Sequence, residues 1–232
     1  MSWLTRFALA LPVLGAAWAS GAHAADPCPY NESRSGLCGY YASEISSARA
    51  FVDTVVKRGK WSNPQLQPVI IDVRSTAEYK AGHPEHSYNV PYPYIHQYCK
   101  SGGRTEDGAC AAGALSQINQ LDQAFVDFVK KIAPNPDTPI YTLCRTGVRS
   151  VGAANVLTNL GGYKNVSNIW EGFVGVNFVF NGEKLDLNHS NTIDSGDLNG
   201  WRYYQGLPYD ARLLPHLMYK DPMYPGIYDN YD

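Results

Sequence analysis

A single cysteine at the end of an apolar run is the residue of this chain best placed to do chemistry. Cys144 follows Ile140-Tyr141-Thr142-Leu143 and precedes Arg145-Thr146-Gly147-Val148-Arg149-Ser150. Beyond it, Val148, Val151, Ala154, Leu157 and Leu160 recur at helical spacing and stop at Gly161-Gly162. A thiol between a strand end and a helix N-terminus meets backbone N–H groups and the positive end of the helix dipole, and both favour an anion. Arg145 and Arg149 add positive charge, a setting that lowers a cysteine pKa to about 3.5–7.5 and supplies a thiolate at neutral pH. Gly147 permits a tight loop and close approach of backbone to ligand, and the N–H groups from Arg145 to Ser150 can close into an anion-binding nest. Cys144 is therefore the candidate nucleophile. The candidate substrate-binding residues are Arg145, Thr146, Gly147, Val148, Arg149 and Ser150. The plainer reading, a small apolar residue filling a strand end, is common for buried cysteines but leaves the donor-rich loop unexplained.

The chain has five cysteines. In an oxidising compartment an even set reads as disulfides and the odd one as a free thiol. Cys28 with Cys38 and Cys99 with Cys110 are the preferred local pairs, although four cysteines allow three connectivities. No Cys-x-x-Cys occurs and the histidines are scattered, so a zinc site is not indicated. Such a compartment is expected from the N-terminus. Arg6 closes a basic segment, Phe7 to Ala19 is apolar, and Ala22-His23-Ala24 is a small-x-small cleavage site. Residues 1–24 read as a cleaved signal peptide, which predicts a periplasmic or secreted protein with no membrane span in the mature chain. The net charge of -2 without a basic run argues against nucleic acid as a partner.

The elements that must position Cys144 follow from the pattern. Residues 25–42 form a polar, cysteine-bracketed N-terminal arm. Ser43 is expected to cap a helix carrying Ile45, Ala48, Val52 and Val55. Val69-Ile70-Ile71-Asp72-Val73 suits a strand buried on both faces of a parallel sheet, and Ser75-Thr76-Ala77-Glu78 has the form of a capping box. Tyr88-Asn89-Val90 reads as a short strand that Pro91 keeps from a central position. From Ser116, the apolar positions Ile118, Leu121, Phe125, Phe128, Val129 and Ile132 predict an amphipathic helix that Pro134 ends. A last strand spans 165–169. This alternation predicts an α/β fold with a mainly parallel central sheet flanked by helices on both faces. Catalytic loops in such sheets lie at the carboxyl ends of strands, where Cys144 falls.

Four stretches in order resemble a single-domain rhodanese. They are Ile70-Ile71-Asp72-Val73-Arg74 with Glu78-Tyr79-x-x-Gly82-His83, then Asn89-Val90-Pro91, Cys144-Arg145-x-Gly147-x-Arg149-Ser150, and Trp170-Glu171-Gly172-Phe173. The resemblance covers about 43–175, leaving 176–232 as an irregular or helical C-terminal extension. It implies a rhodanese-like fold and a sulfurtransferase that takes sulfane sulfur from thiosulfate or a related small anionic donor. A persulfide on Cys144 would then pass the sulfur to cyanide or a thiol, including a protein thiol. The alternative is a sulfur-relay or binding module with little turnover. His83-Pro84-Glu85-His86-Ser87 departs from the family's usual His-Ile-Pro-Gly-Ala-like run. Protein tyrosine phosphatases space their arginine one residue further from the cysteine than Arg149 lies from Cys144, which disfavours phosphate chemistry.

A second constellation lies in the extension. Residues 186–197 have the length and pattern of an EF-hand calcium loop, more closely the dockerin type. The expected oxygen ligands are Asp186, Asn188, Ser190, the Thr192 carbonyl, Asp194 through water, and Asp197. Asn191 stands where glycine is usual and tolerates the left-handed conformation, while Ser190 in place of a carboxylate lowers the expected affinity. Calcium here would be a structural staple.

Overall fold

Strands with apolar residues on both sides must be covered on both faces, and this requirement sets the architecture. The computed structural model describes residues 31–32 and 37–224. The chain runs β1 (Ser43–Ile45), α1 (Ser47–Phe51), β2 (Val69–Asp72), α2 (Thr76–Lys80), β3 (Tyr88–Asn89), β4 (Tyr94–Cys99), β5 (Ala114–Asn119), α3 (Asp122–Ile132), β6 (Ile140–Leu143), α4 (Arg149–Asn159) and β7 (Val166–Ile169). A five-stranded sheet has the order β1-β7-β6-β2-β3, and every pairing is parallel. The predicted α/β architecture is present, with β6 at its centre.

Alternation along the strands divides the core. Ile71, Ile140, Cys144 and Val166 face α3 and α4, packing with Phe125, Val126, Val129, Val151, Ala154 and Leu157. Ile70, Tyr141, Leu143 and Ile169 face the other way, toward Ala50 and Phe51 of α1 and toward Trp201 of the extension. Cys144 thus enters the α3/α4 side directly after the central strand.

Two helix starts differ from the sequence expectation. Ser43 lies in β1, which pairs with β7, and the cap of α1 is Ser46, whose side chain accepts the Arg49 N–H. The residues from Ser116 to Asn119 belong to β5, which forms an antiparallel hairpin with β4; α3 begins only at Asp122. Both partners are distant in sequence, and non-local strand pairing overrides a local helical period. Leu121 is consequently exposed. Val148 and Leu160, also assigned to an apolar helix face, are exposed at the two ends of α4.

The β4–β5 hairpin is closed by a disulfide between Cys99 and Cys110. This bridge lies within the domain, away from the N-terminal arm. Cys38 is also disulfide-bonded; the Cys28–Cys38 expectation falls on Cys28, which is outside the described residues, as is the expected signal peptide. The arm reaches α4, where Asn155 accepts the Tyr40 N–H at 2.7 Å and donates to the Cys38 carbonyl at 2.9 Å. The extension is mostly irregular. Its Tyr209–Asp210 segment pairs antiparallel with His83–Pro84, the stretch where the sequence departs from the rhodanese pattern.

Candidate active site

The frame of the site begins at the end of β2. Asp72 and Arg74 are fully buried and joined by an ion pair at 2.6 Å. Arg74 also donates to the carbonyls of Glu78 (3.2 Å) and Gly82 (2.7 Å), and its guanidinium lies 4.1 Å over the Phe173 ring. Phe173 N–H donates to the Cys144 carbonyl at 2.8 Å. Asp72 and Arg74 therefore form scaffold, linking β2 and α2 to the segment after β7 and, through it, to the cysteine.

Cys144 is the free cysteine among the described residues, and it is fully buried. The hydroxyl of Ser150 lies 3.3 Å from its Sγ, close enough to donate a hydrogen bond. No side chain caps the N-terminus of α4, which follows directly on the loop that carries the thiol. Gly147 has φ of +83°, and a Cβ there would stand 2.0 Å from the Trp170 carbonyl oxygen. Only glycine lets the loop turn this tightly against the Trp170-Glu171-Gly172-Phe173 segment. Asn168 donates to the Gly147 carbonyl at 3.0 Å and holds the turn from β7.

The two loop arginines each have a carboxylate partner. Arg149 makes a forked contact with Glu78, at 3.0 and 2.6 Å. Burial pushes the Glu78 carboxyl up, but the charges of Arg149 and Arg74 and the hydrogen bonds from Arg149 and Ser75 outweigh it and hold the group down to about 2. Arg145 donates from Nε to Asp107 Oδ2 at 2.6 Å. Burial likewise opposes ionisation of Asp107, and hydrogen bonds from Thr105 and Arg145 keep its carboxyl below the ordinary range.

The structure thus gathers Cys144, Arg145, Thr146, Gly147 and Val148 in the loop between β6 and α4, with Arg149 and Ser150 opening α4. Val148 has its side chain partly exposed, and Ser150 turns inward to the thiol. Two contacts of the loop escaped notice in the sequence. Asp107 belongs to the disulfide-closed hairpin, and no local pattern announces its contact with Arg145. Glu78 was legible as a cap, which it is, with Ser75, but its second bond to Arg149 spans the fold.

The loop expected to hold calcium lies elsewhere, and its oxygens meet the loop's own N–H groups. Asp186 accepts from Ser190 (3.0 Å) and Asn191 (2.7 Å), and Asp197 accepts from Leu187 (2.7 Å), Asn188 (3.1 Å) and Asp194 (2.9 Å). Asn191 takes the left-handed conformation, with φ of 66°. Among the described residues, no group of three or more His, Cys, Asp or Glu side chains is arranged to hold a metal ion.

Fold and loop together define an α/β protein with a free thiol at the carboxyl end of its central parallel strand. The chain belongs to the rhodanese-like domain family, whose model matches residues 54–177, more than half of its length. A Schizosaccharomyces pombe protein named "Putative thiosulfate sulfurtransferase, mitochondrial" is 32% identical over 131 residues, covering 56% of this chain and 78% of that one. An uncharacterized protein of Rickettsia prowazekii is 49% identical over 59 residues, 25% of this chain, and the match spans about half of that relative (47%). Among solved structures, Rv0390 from M. tuberculosis is 25% identical with a TM-score of 0.40, over 74% of this chain and 99% of that one.

Proposed function

We propose that this chain is an exported sulfurtransferase in which Cys144 accepts sulfane sulfur from thiosulfate or a related small anionic donor. The observation that carries this reading is the placement of the free thiol of Cys144 between the central strand and the uncapped end of α4, with the Ser150 hydroxyl beside its sulfur. The Cys144 thiolate attacks the donor's outer sulfur, sulfite leaves, and the resulting persulfide passes that sulfur to cyanide or a thiol. The leading N–H groups of α4 stabilise the anionic persulfide, and Ser150 donates to Sγ. Catalysis residues are thus Cys144 as nucleophile and Ser150 with the loop from Arg145 to Arg149 as its surroundings. Export is supported by the sequence of residues 1–24 and by the disulfide chemistry at Cys38 and Cys99–Cys110, which suits an oxidising compartment.

Thiosulfate:cyanide turnover by the purified protein, lost in Cys144→Ser, is the expected result. The complete burial of Cys144 favours a second reading, a relay that takes its sulfur only when a protein partner opens the loop. In that case free thiosulfate gives no turnover, while the protein from cells carries an added mass of about 32 Da, one sulfur, on Cys144. A mature N-terminus at Ala25 in the exported fraction checks the location.

A further inference from the structure

The tip of the β4–β5 hairpin is fixed against α2 and the extension, beside the Cys144 loop. The Cys99–Cys110 bridge closes it. Arg104 ties its two limbs together by donating to the carbonyls of Gly108 (3.0 Å) and Gln97 (2.9 Å). Gly108, at φ of +79°, sits so close to α2 that a Cβ would stand 2.3 Å from the Ala77 carbonyl oxygen. Arg202 of the extension donates to Glu106 at 2.6 Å and to the Ala81 carbonyl at 3.1 Å, bracing the tip from outside. What this assembly delivers to the loop is the Asp107 carboxylate. Thr105 donates to one of its oxygens and Arg145 to the other. Asp107 is 6% exposed and Arg145 38%, so the pair stands at the rim, with the arginine toward solvent.

The charges around the thiol then cancel. Arg74 is matched by Asp72, Arg149 by Glu78 and Arg145 by Asp107. The anion-stabilising power left in the loop is chiefly that of its backbone N–H groups, which suits a developing single charge better than an arriving double one.

We propose that Asp107 is a specificity-determining positioning residue: by holding and neutralising Arg145 it biases the Cys144 loop against dianionic sulfur donors and toward singly charged ones. The inference rests on the sulfur-transfer reading above and concerns the class of donor that reading leaves open. Singly charged donors include organic thiosulfonates and persulfides of thiols. With either kind, the Cys144 thiolate forms a bond to the donor's sulfane sulfur as the donor's own S–S bond breaks. The electron pair leaves on sulfite from thiosulfate, on methanesulfinate from methanethiosulfonate, or on the parent thiolate from a persulfide.

Thiosulfate and methanethiosulfonate carry the same reactive group and differ by one charge, so the ratio of their kcat/KM values isolates charge selectivity. In Asp107→Asn the ratio should move toward thiosulfate by about fivefold or more, the effect of one unit charge about 4 Å away under water-like screening. The change should appear mainly in the thiosulfate KM and shrink as salt is added. Asp107→Glu, which keeps the charge, should restore the wild-type ratio, an outcome that a merely structural role would not produce. A parallel measurement needs no turnover: in Cys144→Ser protein, at a pH alkaline enough to keep sulfite dianionic, Asp107→Asn should tighten binding of sulfite relative to methanesulfinate. If both donors turn over and the ratio stays put in Asp107→Asn, the inference falls and the sulfur-transfer reading stands. If neither donor turns over yet the binding preference shifts as expected, Asp107 keeps its role and the turnover reading falls. If neither donor reacts and neither anion binds, both fall.

Discussion

At the scale of single residues, Glu78 shows how one carboxylate can serve two structures at once. It closes the capping box of α2, accepting from Ser75 N–H at 3.1 Å, and it takes both terminal nitrogens of Arg149. Its carboxyl is held at about 2 against an ordinary 4.5. A group whose folded pKa lies below its unfolded value stabilises the fold above the unfolded value, and that stability is lost as pH falls toward the folded one. Urea denaturation followed across roughly pH 6 to 2.5 should therefore show wild type losing stability below about pH 4.5 more steeply than Glu78→Gln. At neutral pH the variant should be less stable by about 2–4 kcal/mol, because Arg149 loses its buried partner but keeps some access to water. Cys144, Arg149 and the Ser75–Glu78 cap were legible because each sits in a local pattern. The bond from Glu78 to Arg149 was not, since nothing local links residues so far apart in sequence.

At the scale of elements, the β4–β5 hairpin is the part that sequence reading missed most. Ile118 and Leu121 fall in step with the apolar positions of α3, so the period alone extends the helix back to Ser116. What breaks the period is the pairing of β5 with β4, set by strand partners and a cross-link rather than by propensity. Replacing both Cys99 and Cys110 by Ser should lower stability by about 2–3 kcal/mol, the loop-closure contribution of a bridge over 11 residues. Reduction of the wild-type protein, which also opens the bridge at Cys38, should cost at least as much in a denaturation experiment. The loop at 186–197 makes a separate forecast. Asp197 is buried and accepts three backbone N–H groups, so Asp197→Ala should lower the melting temperature even in calcium-free buffer. A rise in the wild-type melting temperature on adding millimolar calcium, absent in Asp186→Ala, is what the calcium expectation requires.

At the scale of the whole molecule, the extension contributes to the core. Trp201 is fully buried against Ile70, Tyr141, Leu143 and Phe173, and its indole N–H donates to the Pro208 carbonyl at 2.8 Å. Trp201→Ala should cost about 3–5 kcal/mol, measured by chemical denaturation, as expected for emptying a large core site. The strand–helix alternation made the parallel sheet and the position of Cys144 readable in advance. The covering of the α1 face was not, because Trp201 lies in an irregular segment with no periodicity to assign it a side. The same extension returns past the sheet at its far end. Met218 bridges to Asn89 in parallel, and the Tyr219 N–H donates to the Asn89 carbonyl at 2.8 Å. β3 is an outer strand, and an open strand edge is a template on which another chain can add itself. With Leu217, Met218 and Tyr219 buried along it, that edge is already occupied from within, which protects the protein from edge-to-edge aggregation at this margin of the sheet.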